Sequence, residues 1–178
     1  MKATGMVRRI DDLGRVVIPK EIRRTMRIRE GDPLEIFTDK EGELIFKKYS
    51  PIGELSDFAG QICDSIKKAT DGIAAVCDRE NIIAVAGSAR RELLDRQVSR
   101  ELADIMEKRS VYIGNGAAIP AAEGAENYRI GVAAPVTAEG DIMGCVLFIE
   151  GKDTASCGEL EKKLAETVAS FLGKQMEA

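Results

Sequence analysis

Residues 7–26 read "VRRIDDLGRVVIPKEIRRTM" and carry five arginines, Arg8, Arg9, Arg15, Arg23 and Arg24, with Arg27 one position beyond. A surface that needed only solubility would intersperse lysine and glutamate. "GMVRRI" alternates as a short strand, and "DDLG" follows as a turn in which Gly14 can take a positive φ. "RVVI" is a second strand. Pro19 then opens a helix, "PKEIRRTM", with Ile22 and Met26 four apart on one face. Further on, "GDPLEIF" and "ELIFKK" alternate as a second hairpin around "TDKEG", with Gly42 in the turn. Residues 1–51 are therefore expected to form an all-β unit of four short strands and one small helix, and Pro51 closes it.

A unit of this size with so few large apolar side chains makes a poor core by itself. Small domains of this kind are completed by disulfides, a metal or association. The cysteines, Cys63, Cys77, Cys145 and Cys157, lie outside the unit, are widely spaced and form no CxxC. Neither a zinc site nor a disulfide framework is supported, and no metal is expected. An obligate homodimer through residues 1–51 is the remaining route.

Charge divides the 178-residue chain. Residues 1–50 hold twelve cations against nine acids, for +3, whereas the rest holds fourteen against twenty-one, for −7. Such asymmetry points to a nucleic-acid-binding part joined to something else. Aromatic residues make up only 4% and tryptophan is absent, which disfavours a stacking platform for single strands. Histidine is also absent, so no triad or metal site can use imidazole. Ser88, Ser99 and Ser110 thus have no imidazole partner, and Asp11 and Asp12, being adjacent, face different ways. The residues point away from an enzyme, and no cofactor is implied. The opening "MKATGMVRRI" lacks an apolar signal region, and no window approaches ~18 uninterrupted apolar residues. A cytoplasmic protein with no membrane partner is expected.

After the first unit, "PIGELSDFAGQICDSIKKA" repeats Ile52, Ala59 and Ile66, and Leu55, Ile62 and Ala69, at seven-residue steps. Residues 52–70 are read as an amphipathic helix that either packs on its own domain or joins two chains. Residues 71–178 follow an α+β order. "GIAAVCDRENIIAVAG" is a strand pair, and "RRELLDRQVSRELADIMEKR" is a helix with Leu93, Leu94, Val98, Leu102 and Ile105 at helical spacing. "NGAAIPAAEGAEN" is a loop, and "YRIGVAAPVTAEGDIMGCVLFIEG" is a hairpin turning at "AEGD". The last helix opens with a capping box, Ser156 and Glu159, ahead of a stripe of Leu160, Leu164, Val168 and Phe171.

Arginine presents five donors in a rigid fork and stays charged at physiological pH, so it suits phosphates and guanine edges alike. Two copies would bring about ten such groups together. The plainer reading is a solvated basic face with incidental ion pairs to Asp11, Asp12, Glu21 and Glu30.

"TGMVRRIDDLGRVVIPKEIRRTMRIREGDPLEIFTDKEGELIFKKY" resembles, nearly position for position, the DNA-binding domain of AbrB-type transition-state regulators. The resemblance implies a swapped-hairpin β-barrel made by two chains, and double-stranded DNA as the partner. Arg8, Arg9, Arg15, Arg23 and Arg24 match the family's basic DNA-contact positions, with Lys2 a weaker candidate. Arg27 stands where the pattern often has glycine, and Gly14, Pro19 and Gly31 look architectural. The same domain occurs in antitoxins, where a short toxin-binding tail follows. An antitoxin-like protein that controls its own synthesis is therefore the alternative.

The long second half instead resembles sporulation transcription regulators of endospore-forming bacteria with a GAF-like C-terminal region. That implies a pocket for an unidentified small molecule, lined by "GIAAVCD", "NGAAIPAAEG" and "RIGVAAP", although nothing there specifies a ligand. Helices 52–69 and 156–176 are further expected to join two dimers into a homotetramer.

Overall fold

The computed structural model describes residues 4–70 and 72–177. The chain divides between Tyr49 and Ser50 into two compact units.

In the first unit, helix α1 (Lys20–Thr25) begins after Pro19, whose fixed φ suits a helix start. Strands β1 (Leu34–Thr38) and β2 (Leu44–Lys48) pair antiparallel, with Ile36 opposite Phe46. The expected strands over 6–10 and 15–18 are not formed. Those residues carry no ladder, because within one chain they meet no strand edge with which to exchange hydrogen bonds. Pro19 is the one buried residue among the described residues of this unit. Met6, Val7, Ile10, Leu13, Val16 and Val17 are all exposed, Val7 at 85%.

The second unit is built on a five-stranded antiparallel sheet of β3 (Ile73–Asp78), β4 (Ile82–Val85), β5 (Tyr112–Ile113), β6 (Arg129–Ala138) and β7 (Asp141–Glu150), in the order β4-β3-β7-β6-β5. Its central strands are apolar at successive positions because both faces are covered. Ala75, Cys77, Ala133, Cys145 and Leu147 point to one side, and Val76, Val132, Val146 and Phe148 to the other.

The first face is covered by α4 (Arg90–Leu93), α5 (Arg100–Glu107) and the loop containing Ala121, Ala122 and Ala125. The single helix expected from residue 90 to 109 is broken. Leu94 leaves helical geometry with ψ 137 and Asp95 has φ +61. A new start is made at Ser99, whose buried hydroxyl accepts the Leu102 N–H at 3.0 Å. The apolar spacing is the same for one helix or two, so it could not reveal the break.

The second face is covered by α2 (Pro51–Glu54), α3 (Ser56–Thr70) and α6 (Glu159–Glu177). Ile52, Ala59 and Ile66 of the heptad are buried against the sheet, whereas Leu55 and Ile62 are half-buried and Ala69 is exposed. The expected capping box on Ser156 is displaced by two residues. Gly158 donates its N–H to Glu161 Oε2 at 2.7 Å, and its carbonyl accepts the first helical bond from Lys162. The expected stripe holds in part: Leu164 and Val168 are half-buried and pack against the core, but Leu160 and Phe171 are 60% and 43% exposed, and the buried residues of α6 are Ala165, Ala169, Leu172 and Gly173. The helix lies so near β6 that a Cβ at Gly173 would collide with the Thr137 carbonyl oxygen, so small residues must face the sheet.

Candidate nucleic-acid interface

The loop after the first extended segment is closed by its own backbone. Asp11 N–H donates to the Arg15 carbonyl at 3.0 Å, and Gly14 N–H to the Asp11 carbonyl at 3.1 Å. Asp11 Oδ1 accepts the N–H groups of Leu13 at 3.0 Å and Arg15 at 2.7 Å, while Oδ2 accepts Arg15 Nε–H at 2.8 Å. Gly14 has φ +76, a conformation that a side chain disfavours. The Arg15 backbone N–H, then its guanidinium, hold the Asp11 carboxyl below the usual carboxylate range; desolvation opposes them, and the Leu13 N–H adds a smaller lowering. Among the described residues, one of the guanidinium's five N–H donors is used, and the side chain is 70% exposed. Arg15 is thus aimed but not consumed.

Arg8 and Arg9 sit on the extended segment and are exposed, with Arg8 Nη1 donating to the Val7 carbonyl at 3.3 Å. Arg23 and Arg24 occupy the last turn of α1, both exposed. The helix ends in a double bond: Ile28 N–H to the Arg23 carbonyl at 2.7 Å, and Arg27 N–H to the Arg24 carbonyl at 3.3 Å. Lys2 lies outside the described residues. The structure therefore couples Arg15 to Asp11 and groups Arg23 with Arg24. Asp11, read from the sequence as an incidental counter-ion, is the residue that orders the loop; its four-residue separation from Arg15 in "DDLGR" was the available signal.

The second unit offers little chemistry of its own. The segments expected to line a ligand pocket are packed together, with Ala75, Cys77, Ala121, Ala122 and Ala133 fully buried in one cluster. A groove of about 350 Å³ lies instead between β6 and α6, beside Pro135, Thr137, Glu166, Ser170 and Lys174. Burial pushes the Cys63 thiol up to about 12, and burial with the nearby Glu150 and Glu161 carboxylates pushes Cys157 to about 12. Cys145 is raised by burial and by its hydrogen bond with Cys77, which faces it across β3 and β7. Among the described residues no group of His, Cys, Asp and Glu could hold a metal ion, and no helix is long and apolar enough to cross a membrane.

Comparison with known proteins assigns both units. Residues 54–177 match the family described as "Stage V sporulation protein T C-terminal, transcription factor", and residues 7–54 match "Antidote-toxin recognition MazE, bacterial antitoxin". The chain is 48% identical to stage V sporulation protein T of Bacillus subtilis over 182 aligned residues, covering 99% of each protein. It is 56% identical over 63 residues to the transition state regulatory protein AbrB of the same organism, covering 32% of this chain and 65% of that one. In fold, it is similar to a type II free methionine-R-sulfoxide reductase from Thermoplasma acidophilum at a TM-score of 0.50 and 12% identity, over 68% of this chain and 94% of that one. With nearly half of its residues shared along its whole length and its second unit matched throughout, this chain belongs to the stage V sporulation protein T family of transcription factors.

Proposed function

We propose that this protein is a double-stranded-DNA-binding transcription regulator of sporulation genes, acting through the arginines of its first unit and having no enzymatic activity. The observation that carries the reading is the coincidence, in one 49-residue unit, of exposed Arg8, Arg9, Arg15, Arg23 and Arg24 with exposed Val7, Ile10, Leu13 and Val17. Apolar residues in such numbers need cover, and a second copy supplies it symmetrically. A barrel closed by two exchanged hairpins pairs the segments that have no ladder in one chain, and lays guanidinium groups from both copies along one duplex.

The second unit then serves as a GAF-like scaffold that tetramerises and can take a small molecule. The exposed Leu160 and Phe171 on α6, with the Phe58 ring 5.8 Å from that of Phe171, support a helix-mediated contact. Two barrels on one scaffold gain avidity on a duplex that both can reach. The match to an antitoxin model over residues 7–54 favours one second reading, a DNA-binding protein that pairs with a toxin. The compact unit of residues 50–178, standing where an antitoxin carries a short tail, weighs against it.

Fluorescence anisotropy of the full chain on a duplex across a salt series tests the proposal. Affinity should fall with a log–log slope of about −4 to −5 if about half of ten guanidinium groups meet phosphates. Arg15→Ala should bind at least about tenfold more weakly with the mass of the assembly unchanged. Unchanged affinity would remove Arg15 from the interface, and co-purification with a stoichiometric protein partner would favour the antitoxin reading.

A further inference from the structure

The two oxygens of Asp11 serve separate ends. Oδ1 accepts the Leu13 and Arg15 N–H groups at 3.0 and 2.7 Å and closes the turn. Oδ2 accepts Arg15 Nε–H at 2.8 Å, a bond that the turn does not require. An exposed ion pair adds little stability, so the fold gives no reason for this second bond. Among the described residues, Arg15 is also the one of the five candidate arginines with a carboxylate partner. For a phosphate contact that carboxylate is a handicap, since it cancels much of the guanidinium's charge and repels the phosphate. For reading a base it is an aid, because hydrogen bonds to a base edge depend on direction more than on net charge. With Nε–H held, the two Nη nitrogens keep four N–H donors without a partner among the described residues, on a side chain that is 70% exposed.

We infer that Arg15 is a guanine-reading residue, its fork held by Asp11 so that the two Nη nitrogens donate together to O6 and N7 of one guanine in the major groove. The inference deepens the DNA-binding reading above and rests on it. Guanine presents two adjacent acceptors on its major-groove edge, which the paired donors at the end of the fork match. Asp11 is the positioning residue: by fixing the side chain before DNA arrives, it removes freedom that binding would otherwise have to quench. Arg8, Arg9, Arg23 and Arg24, exposed and without a carboxylate partner among the described residues, are left to supply the charge that phosphates require.

In the test, the full chain selects duplexes from a 30-base-pair pool with a randomised core. The tightest is resynthesised with 7-deazaguanine, which lacks the N7 acceptor but keeps base pairing and every phosphate. Fluorescence anisotropy then compares the two duplexes for wild type, Asp11→Asn and Arg15→Lys, with thermal melting of each. Wild type should lose about tenfold on the substituted duplex with an unchanged salt slope. Asp11→Asn keeps the Oδ1 acceptor but turns an N–H toward Arg15 Nε. It should bind the natural duplex about tenfold more weakly despite losing a negative charge, and should no longer distinguish the two duplexes. Arg15→Lys keeps the charge without the fork and should behave alike; it leaves the turn's acceptor in place, so it decides the matter should Asp11→Asn melt early. Tighter binding by Asp11→Asn, the result expected of an Arg15 that meets phosphate, would overturn the inference. So would wild-type indifference to 7-deazaguanine, or discrimination that survives in both variants, since another residue would then read the guanine. A wild-type chain without salt-dependent binding would refute the DNA-binding reading itself.

Discussion

Asp11 and Arg15 form a closed pair in which one carboxylate holds both the backbone and the side chain of the same arginine: Oδ1 accepts the Arg15 N–H at 2.7 Å and Oδ2 accepts its Nε–H at 2.8 Å. An exposed ion pair alone adds little stability. The backbone bonds from Leu13 and Arg15 are the larger contribution, and they fix the turn that sets the direction of Arg15.

Asp11→Asn keeps an oxygen for those backbone bonds and should leave the melting temperature near that of wild type, whereas Asp11→Ala removes the acceptor and should lower it. Equal melting of the two variants would show that the turn does not depend on Asp11. The acid limb follows in sign. Because the folded carboxyl is depressed, its contribution is complete above the ordinary carboxylate range near 4 and disappears as the pH falls through the lower folded value. Melting from pH 6 down to pH 2 should therefore show a smaller acid-induced loss in Asp11→Ala than in wild type.

Gly144 leaves no room for a side chain against β3, since a Cβ there would collide with the Cys77 carbonyl oxygen on the neighbouring strand. Backbone cannot yield as a flexible side chain can. Gly144→Ala should destabilise the second unit by about 2–3 kcal/mol, read by urea unfolding. A change below about 0.5 kcal/mol would mean that β3 and β7 separate more easily than their register implies.

The cysteines should be chemically quiet. Cys77 and Cys145 are fully buried, and Cys63 and Cys157 have pKa values raised to about 12, so almost no thiolate is present at neutral pH. Ellman's reagent should react slowly with the native protein and rapidly with all four thiols in guanidinium. A fast native thiol would contradict this account and open a redox role.

Much of this was legible in the residues. The hairpin at "AEGD" is a two-residue turn with φ +50 at Glu139 and +85 at Gly140, at the place where the two apolar runs were expected to turn. Cys77 and Cys145 read as core residues and are core residues. What the sequence concealed were interruptions that leave hydrophobic spacing unchanged: the break at Leu94–Asp95 and the shift of the final cap from Ser156 to Gly158. The stripe on α6 was legible only in part, with Leu164 and Val168 packed on the core and Leu160 and Phe171 exposed. Close approach to β6 selects Ala165, Ala169 and Gly173, and a pattern scored by hydrophobic bulk passes over small residues. At the candidate interface the arginines were visible by composition, but the ordering role of Asp11 required geometry.

The paired-chain barrel is the central claim, and hydrogen exchange of the full protein tests it most directly. In one chain, residues 6–10 and 15–18 belong to no strand, and alone their amides should exchange at nearly unprotected rates. Paired with a second copy, the amides of these segments that enter the ladder should be slowed by a factor of about 100 or more, comparable to those of β1 and β2. Slow exchange across both segments is the predicted result; free-loop rates there, in a protein whose second unit is fully protected, would contradict it.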